Sequence, residues 1–341
     1  ILLHGAASLL NGLTFDSEED SALHVVASNG DSKAKHLLDA TNKNGETPLH
    51  CAARAGNVNM VSCLIQFAVH ERNSPERVKI LLRKENKRGE TVLHSAIFSA
   101  NIQVIKKLMS EDSDLASVPN DADKHGCTPL HFAASMDRWH KSYSTLFINF
   151  MTMHIGFPYW FLRVMTKEGP TRILIEVNQA SLYQPDKKGS YPIHVAAASG
   201  CLKALVIMLQ RSPICATLRD GRGRTFLHIS VEKKRSSTVA FACQNPQFTS
   251  VWNMQDMNGN TAMHLAVQAG EQWIFNCLFQ NHCIQLGLSN KDGLTALDLA
   301  WIKLRERNTF YYRSVRICTT SCSANRKIIK IVSPQLYMGS M

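Results

Sequence analysis

Small, alanine-rich apolar stretches alternate along the chain with longer amphipathic ones, and polar turns separate the pairs. The short stretches read "CAARAG", "FAAS", "VAAASG" and "LAVQAG". Alanine lets neighbouring helices approach closely, and Gly56, Gly200 and Gly270 close three of these stretches as Gly closes helix C-termini. The pattern predicts a short first helix. Beyond the Gly, or beyond Ala100 in its place, apolar residues recur at helical spacing: Val61, Ile105, Leu205 and Phe275, then Leu64, Leu108, Met208 and Leu278. Ile65, Met109, Leu209 and Phe279 join the same stripe, which predicts a second helix. One such pair cannot bury its own apolar face, so the unit of folding is a stack of pairs.

The turns between pairs repeat as well. Asp or Asn precedes Gly by three residues in Asn42–Gly45, Asn86–Gly89, Asp123–Gly126, Asp186–Gly189, Asp220–Gly223, Asp256–Gly259 and Asn290–Gly293. Gly accepts positive φ, and an Asp or Asn side chain can bond its own backbone two residues on. Two residues after each Gly stands Thr47, Thr91, Thr128, Tyr191, Thr225, Thr261 or Thr295. A Thr there can cap the following helix. Pro48, Pro129 and Pro192 come next, in a first turn that needs no amide donor.

A histidine recurs at one place in this pattern: His24, His50, His94, His131, His194, His228 and His264, with Asp298 closing the series. Successive members are 26, 44, 37, 63, 34, 36 and 34 residues apart. A period near 33 residues built on Thr-Pro-Leu-His, as in "NKNGETPLHCAARAG", resembles ankyrin repeats. The resemblance runs from about residue 16 to 303. It implies an all-α solenoid of about eight helix-turn-helix repeats joined by β-turn hairpin tips. Histidines set one per layer cannot converge on one metal ion or one substrate atom. A structural imidazole, bonded to nearby Thr hydroxyls and backbone and tying adjacent turns together, is favoured over a catalytic or ligating one.

Composition narrows the classes. Ten cysteines include no Cys-x-x-Cys, and Cys318 with Cys322 has no partner pair for zinc. Cys51, Cys63, Cys127, Cys201, Cys215 and Cys277 fall at helix positions, where small buried thiols in a reducing compartment are expected. The chain starts at Ile1, as a fragment would, and "ILLHGAASLL" lacks the basic flank of a signal peptide. No phosphate loop, nucleophile elbow or paired metal motif is present, and "RDGRGR" lies in a repeat turn without the preceding strand a dinucleotide site requires. An enzyme is not expected, nor a cofactor, a metal or a small-molecule substrate.

The formal net charge is +11. Lys43, Lys87, Arg88, Lys124, Lys187, Lys188, Arg222, Arg224 and Lys291 lie at turn tips. Lys303, Arg305, Arg307, Arg313, Arg316, Arg326, Lys327 and Lys330 crowd the last forty residues. This suits an acidic partner or an anionic membrane face; the bland alternative is that lysine is simply a soluble turn residue. Nucleic acid would ask for interleaved aromatics or a recognition helix, and the tips offer neither.

Two intervals break the period. Arg138 to Met165 is excess chain, uncharged from Ser142 to Leu162. It is barely long enough to span a bilayer and is interrupted by Asn149, His154, Gly156 and Pro158. It is expected to be a surface insertion or an aberrantly translated segment. The domain plan is then an N-terminal segment, 1–15; an array, 16–303, with the insertion at 138–165; and a basic irregular tail, 304–341.

Within the ankyrin class, "ASLYQPDKKGSYPIHVAAASG", "DGRGRTFLHISVEKK" and "NMQDMNGNTAMHLAVQAG" resemble the plant accelerated-cell-death type. That resemblance implies a protein-interaction module on the cytoplasmic side of a membrane, the plasma membrane, in defence and cell-death signalling. Its PGG membrane domain has no counterpart here: no Pro-Gly-Gly triplet and no uninterrupted apolar span follow Tyr312. The alternative is an ankyrin adaptor without a membrane domain. In either case a protein partner of unknown identity would meet residues that differ between equivalent tips: Glu46, Glu90, Cys127, Ser190, Arg224, Asn260 and Leu294.

Overall fold

A computed structural model describes residues 38–72, 75–119, 126–136 and 169–305. His24, the segment 1–15, the insertion 138–165 and the chain beyond Arg305 lie outside them. The described residues divide into two compact units, one ending at Gly221 and the other starting at Arg222.

The first unit holds α1 (Pro48–Arg54), α2 (Val58–Arg72), α3 (Pro75–Arg83), α4 (Val92–Ser99), α5 (Ile102–Glu111), α6 (Pro129–Met136), α7 (Pro170–Val177), α8 (Pro192–Ser199) and α9 (Leu202–Arg211). Short 3-10 turns follow the second helices at Ser113–Ser117, Gln179–Tyr183 and Pro213–Thr217. The first helices α1, α4, α6 and α8 pack side by side, and the second helices α2, α5, α7 and α9 form a parallel layer. The second unit repeats the scheme with α10 (Phe226–Glu232), α11 (Ser236–Gln244), α12 (Thr249–Trp252), α13 (Ala262–Ala269), α14 (Gln272–Phe279) and α15 (Ala296–Arg305). There α10, α13 and α15 are the first helices, and α11 packs on α14. Among the described residues the one extended pairing is an isolated bridge between Ser289 and Thr295. The fold is all-α.

The predicted stripe is the core. Eleven of its twelve residues are buried, and only Phe279 is half-exposed. Alanines 53, 96, 133, 134, 196, 197 and 266 are fully covered where first helices meet; larger side chains there would force the helices apart. Gly200 and Gly270 end their helices in the left-handed region, at φ 74° and 73°. Ala100 and Lys234 take the same conformation at φ 52° and 56° without glycine's freedom.

The two longest histidine intervals have different physical origins. In the 44-residue interval the added chain extends α2 to 15 residues and builds α3, an additional helix. Val78, Leu81 and Leu82 are buried. Arg77 pairs with Asp39, and Arg83 grips Asp112 with Nε and Nη2 at 2.6 and 3.0 Å. In the 63-residue interval α6 and α7 are the first and second helices of one repeat, since α6 packs between α4 and α8 while α7 packs between α5 and α9. The excess chain therefore enters between the two helices of a repeat, and the stack closes on both sides of it.

The eight described cysteines are free thiols. Cys201 and Cys215 are buried; Cys51, Cys63, Cys127, Cys243 and Cys277 are half-buried; Cys283 is exposed. Cys127 precedes α6, Cys201 is the N-cap of α9 and Cys215 sits in a 3-10 turn, so none of the three occupies the α-helical position expected from the sequence.

Candidate functional site

Five of the described turn tips are built by the side chain that opens them. Asn42 Oδ1 accepts from the amides of Asn44 and Glu46 at 2.9 and 3.0 Å. Asn86, Asp186, Asp256 and Asn290 hold the amides two and four residues on in the same way. The side chain is folded inward by these bonds, and the backbone doubles back at a glycine of positive φ. Successive tips then join through main chain: the Lys87 amide donates to the Asn44 carbonyl at 2.9 Å, Met257 to Arg222 at 3.0 Å and Lys291 to Asn258 at 2.9 Å. A Cβ on Gly45, at φ 75°, would stand 2.9 Å from the Lys87 amide nitrogen and 3.1 Å from Lys87 Cγ. Glycine's bareness is therefore what lets one tip lie on the next.

Behind the tips the histidines form a second set of links. The amides of Thr47, Thr91, Thr128, Tyr191, Thr225 and Thr261 donate to Nδ1 of the histidine three residues on, at 3.0–3.2 Å. The five threonine hydroxyls lie 2.7–2.9 Å from the same nitrogen. An amide can only donate, so Nδ1 is the bare nitrogen and Nε2 carries the proton. Nε2–H of His50, His131, His228 and His264 donates to the carbonyls of Glu90, Ser190, Asn260 and Leu294 at 2.9–3.1 Å. Each of these residues precedes the capping residue of the following repeat. His194 donates to the Leu218 carbonyl at 3.1 Å. His94 Nε2 faces the Cys127 carbonyl without completing a hydrogen bond among the described residues. Asp298 takes the histidine's place in the last repeat, accepting from Thr295 N and Oγ1 at 2.8 and 2.6 Å; a carboxylate has no N–H to pass onward. Burial pushes the imidazoles of His50, His94, His131 and His264 below the ordinary histidine value, His94 to about 4. These are neutral rings one layer apart, each bonded to backbone. Among the described residues no three His, Cys, Asp or Glu side chains gather to hold a metal ion.

The seven candidate contact residues lie one position past the glycine of each tip. None of them is exposed: Glu46, Glu90 and Asn260 are buried, and Cys127, Ser190, Arg224 and Leu294 are half-buried. At Glu46, Glu90, Ser190, Asn260 and Leu294 the residue after the glycine turns back toward the stack because its amide is held by the opening side chain. Glu46 Oε2 accepts from Asn42 Nδ2 at 3.2 Å, Glu90 Oε2 from Asn86 Nδ2 at 2.9 Å, and Arg54 lies 2.5 Å from Glu46 and 3.7 Å from Glu90. Arg224 pairs with Glu232. The tip residues presented to solvent are the two before the glycine: Lys43 and Asn44, Lys87 and Arg88, Lys187 and Lys188, Met257 and Asn258, Lys291 and Asp292, together with Arg222. The invariance of the Asx-turn frame was the signal that could have located them, since a position used by the frame cannot also face a partner. Of the basic tip residues read from the sequence, Lys124 lies outside the described residues.

Several known proteins share this repeat. A family model described as ankyrin repeats in three copies matches residues 2–68 and 65–147. Alpha-latrotoxin-Lh1a of Latrodectus hasselti is 34% identical over 110 residues, which is 31% of this chain and 8% of the toxin. Rabankyrin-5 of Homo sapiens is 26% identical over 207 residues, 57% of this chain and 15% of its own length. The chain thus spans a small part of the curated relatives it matches. Among solved structures, the ankyrin repeat domain of Bcl-3 superposes with a TM-score of 0.53 at 20% identity, over 75% of this chain and 95% of that one. The chain carries ankyrin repeats, and the fold it adopts is that of an ankyrin-repeat domain.

Proposed function

We propose that the chain is a protein-binding module whose contacts come from the exposed tip pairs and the uncovered sides of the first helices. The observation that carries this reading is the division of labour within each tip. Turn-opening side chain, glycine, capping residue and histidine are spent on the frame, while the two residues before the glycine are exposed and differ from repeat to repeat. Rigid scaffolds that present variable loop residues bind with little loss of conformational entropy. The tip basic residues also suit an anionic membrane face, and no helix of the described residues is long and apolar enough to cross a bilayer.

The narrower reading, the cytoplasmic part of a plant membrane protein in defence and cell-death signalling, rests on the quoted sequence stretches alone, and the relatives named above are animal proteins. The runner-up, an adaptor without a membrane domain, uses the same surface.

A photo-crosslinking amino acid placed at Arg88, and in a second variant at Gln210 on the exposed side of α9, tests the surface. Partner adducts at position 88 and not at 210 are expected. Equal labelling at both, or labelling only at 210, would move the binding face to the second helices.

A further inference from the structure

We infer that the tips and first helices of the first unit receive an acidic segment of a partner protein that also carries an apolar side chain, seated against Phe98. This rests on the binding-module reading and narrows it to a chemical class.

Positive charge gathers at the tips. Lys43, Lys87, Arg88, Lys187 and Lys188 are exposed. Their carboxylate neighbours are turned away from solvent. Glu46 and Glu90 are 7% and 4% exposed, are bonded to Asn42 and Asn86, and share Arg54 between them. Asp186 is occupied by the amides of Lys188 and Ser190. Among the described residues, positions 43–44, 87–88 and 187–188 present exposed basic side chains and no acidic one. The lysine stems are also laid down in order: a Cβ on Gly45 would meet Lys87 Cγ, and one on Gly126 would meet Lys187 Cγ at 3.0 Å. The Lys87 amide donates to the Asn44 carbonyl at 2.9 Å, so Lys43 stands on the tip next to Lys87 and Arg88, where like potentials add. Clusters of this kind recognise acidic motifs.

Apolar side chains are exposed at the other end of the first helices. Phe98, in α4, is 46% exposed, and Met136, in α6, is 40% exposed. The Phe98 ring lies 6.5 Å from that of Phe132, which in turn meets the buried His94 edge-on at 4.9 Å. The floor of this patch is therefore fixed to the histidine frame, while its outer ring is open. Exposed aromatic side chains on a rigid floor are the usual anchors of a binding surface. A purely ionic ligand, such as a headgroup layer, has no use for an apolar anchor a helix length away from the charge. A peptide that is acidic along the tips and places one Leu or Phe across the helices uses both features.

The test is fluorescence anisotropy of the whole chain with three probes. They are a fluorescein-labelled Glu- and Asp-rich peptide containing one Phe, the same peptide with every acid replaced by Gln or Asn, and phosphatidylcholine vesicles containing phosphatidylserine. The acidic peptide should bind, weakening steeply from low to physiological salt, and the neutral peptide should bind about tenfold or more weakly. The quadruple variant Lys87→Glu, Arg88→Glu, Lys187→Glu, Lys188→Glu should lose about tenfold or more in affinity and most of the salt dependence. Its fold is checked by circular dichroism and thermal midpoint. Phe98→Ser should lose affinity while keeping the salt slope. Equal binding of the neutral peptide, an undiminished quadruple variant, or vesicle binding that persists when the acidic peptide does not bind would each overturn the inference. If position 88 still crosslinks to a partner while acidic peptides fail, the binding-module reading stands and the acidic class alone falls.

Discussion

Nε2 of His50 donates to the carbonyl of Glu90, forty residues further along the chain, at 3.1 Å, while its Nδ1 accepts from the Thr47 amide at 3.2 Å. One neutral ring thus caps its own helix and fastens the next turn. His228 does the same between Thr225 and Asn260. Replacing His50 or His228 with Ala takes the imidazole acceptor from the buried Thr47 or Thr225 amide and removes one of two donors to the Glu90 or Asn260 carbonyl, which keeps the Asn86 or Asp256 amide. Each substitution should lower unfolding free energy by about 1–3 kcal/mol in chemical denaturation. Unchanged stability would show that the ring is dispensable to the frame.

Acid should loosen the stack through the same rings. The folded pKa of His94 is about 4, held down by burial, against about 6.5 when unfolded. The folded state therefore binds fewer protons between these values. The contribution is fully present above pH 6.5 and declines as pH falls toward 4. For His94 alone it amounts to about 3 kcal/mol, and the lowered values of His50, His131 and His264 act in the same direction. Denaturation midpoints measured from pH 7.5 down to 4 should fall, with the slope steepening below about pH 6.5. A flat profile would exclude neutral buried histidines.

Backbone conformation gives a pair of opposite outcomes. Ala100 sits at φ 52°, where a β-carbon is crowded. Ala100→Gly should raise stability by up to about 1 kcal/mol, net of the larger entropy of an unfolded glycine. Gly45 sits at φ 75° under Lys87. Gly45→Ala should cost about 1–3 kcal/mol, read as a lower thermal midpoint. Equal effects in the two variants would mean that the tip approach is relaxed in solution.

Excess chain in the third described repeat can be tested by removal. His131 reaches the Ser190 carbonyl at 2.9 Å, the same link that His50 makes to Glu90. Deleting 138–165 should leave helical ellipticity per residue unchanged or higher and should not reduce solubility. A deletion that unfolds the chain would make that segment part of the core.

Much of this was legible because the repeat averages its own signal. The apolar stripe, the capping Thr and the stop at Gly recur in several copies, so one poor copy, such as Tyr191 in place of Thr, does not hide the pattern. The 44- and 63-residue intervals were visible as irregular, yet spacing alone does not say whether added chain becomes a helix or an insertion. α3 is decided by long-range partners, Asp39 and Asp112, that no local pattern exposes. The exposed tip residues lie two and three positions before the candidates for a similar reason. Sequence variation at Glu46 and Glu90 reads as freedom, whereas the carboxylates are held by Asn42, Asn86 and Arg54.

The seat of Lys87 on Gly45 also bears on how such a surface changes. Only the two residues before each glycine can be exchanged without disturbing the main-chain link to the next tip. New binding preferences can therefore be grafted two residues at a time, one layer after another, with the stability of the host left nearly constant. A library confined to positions 43–44, 87–88 and 187–188 would sample partner choice while every member keeps the same backbone.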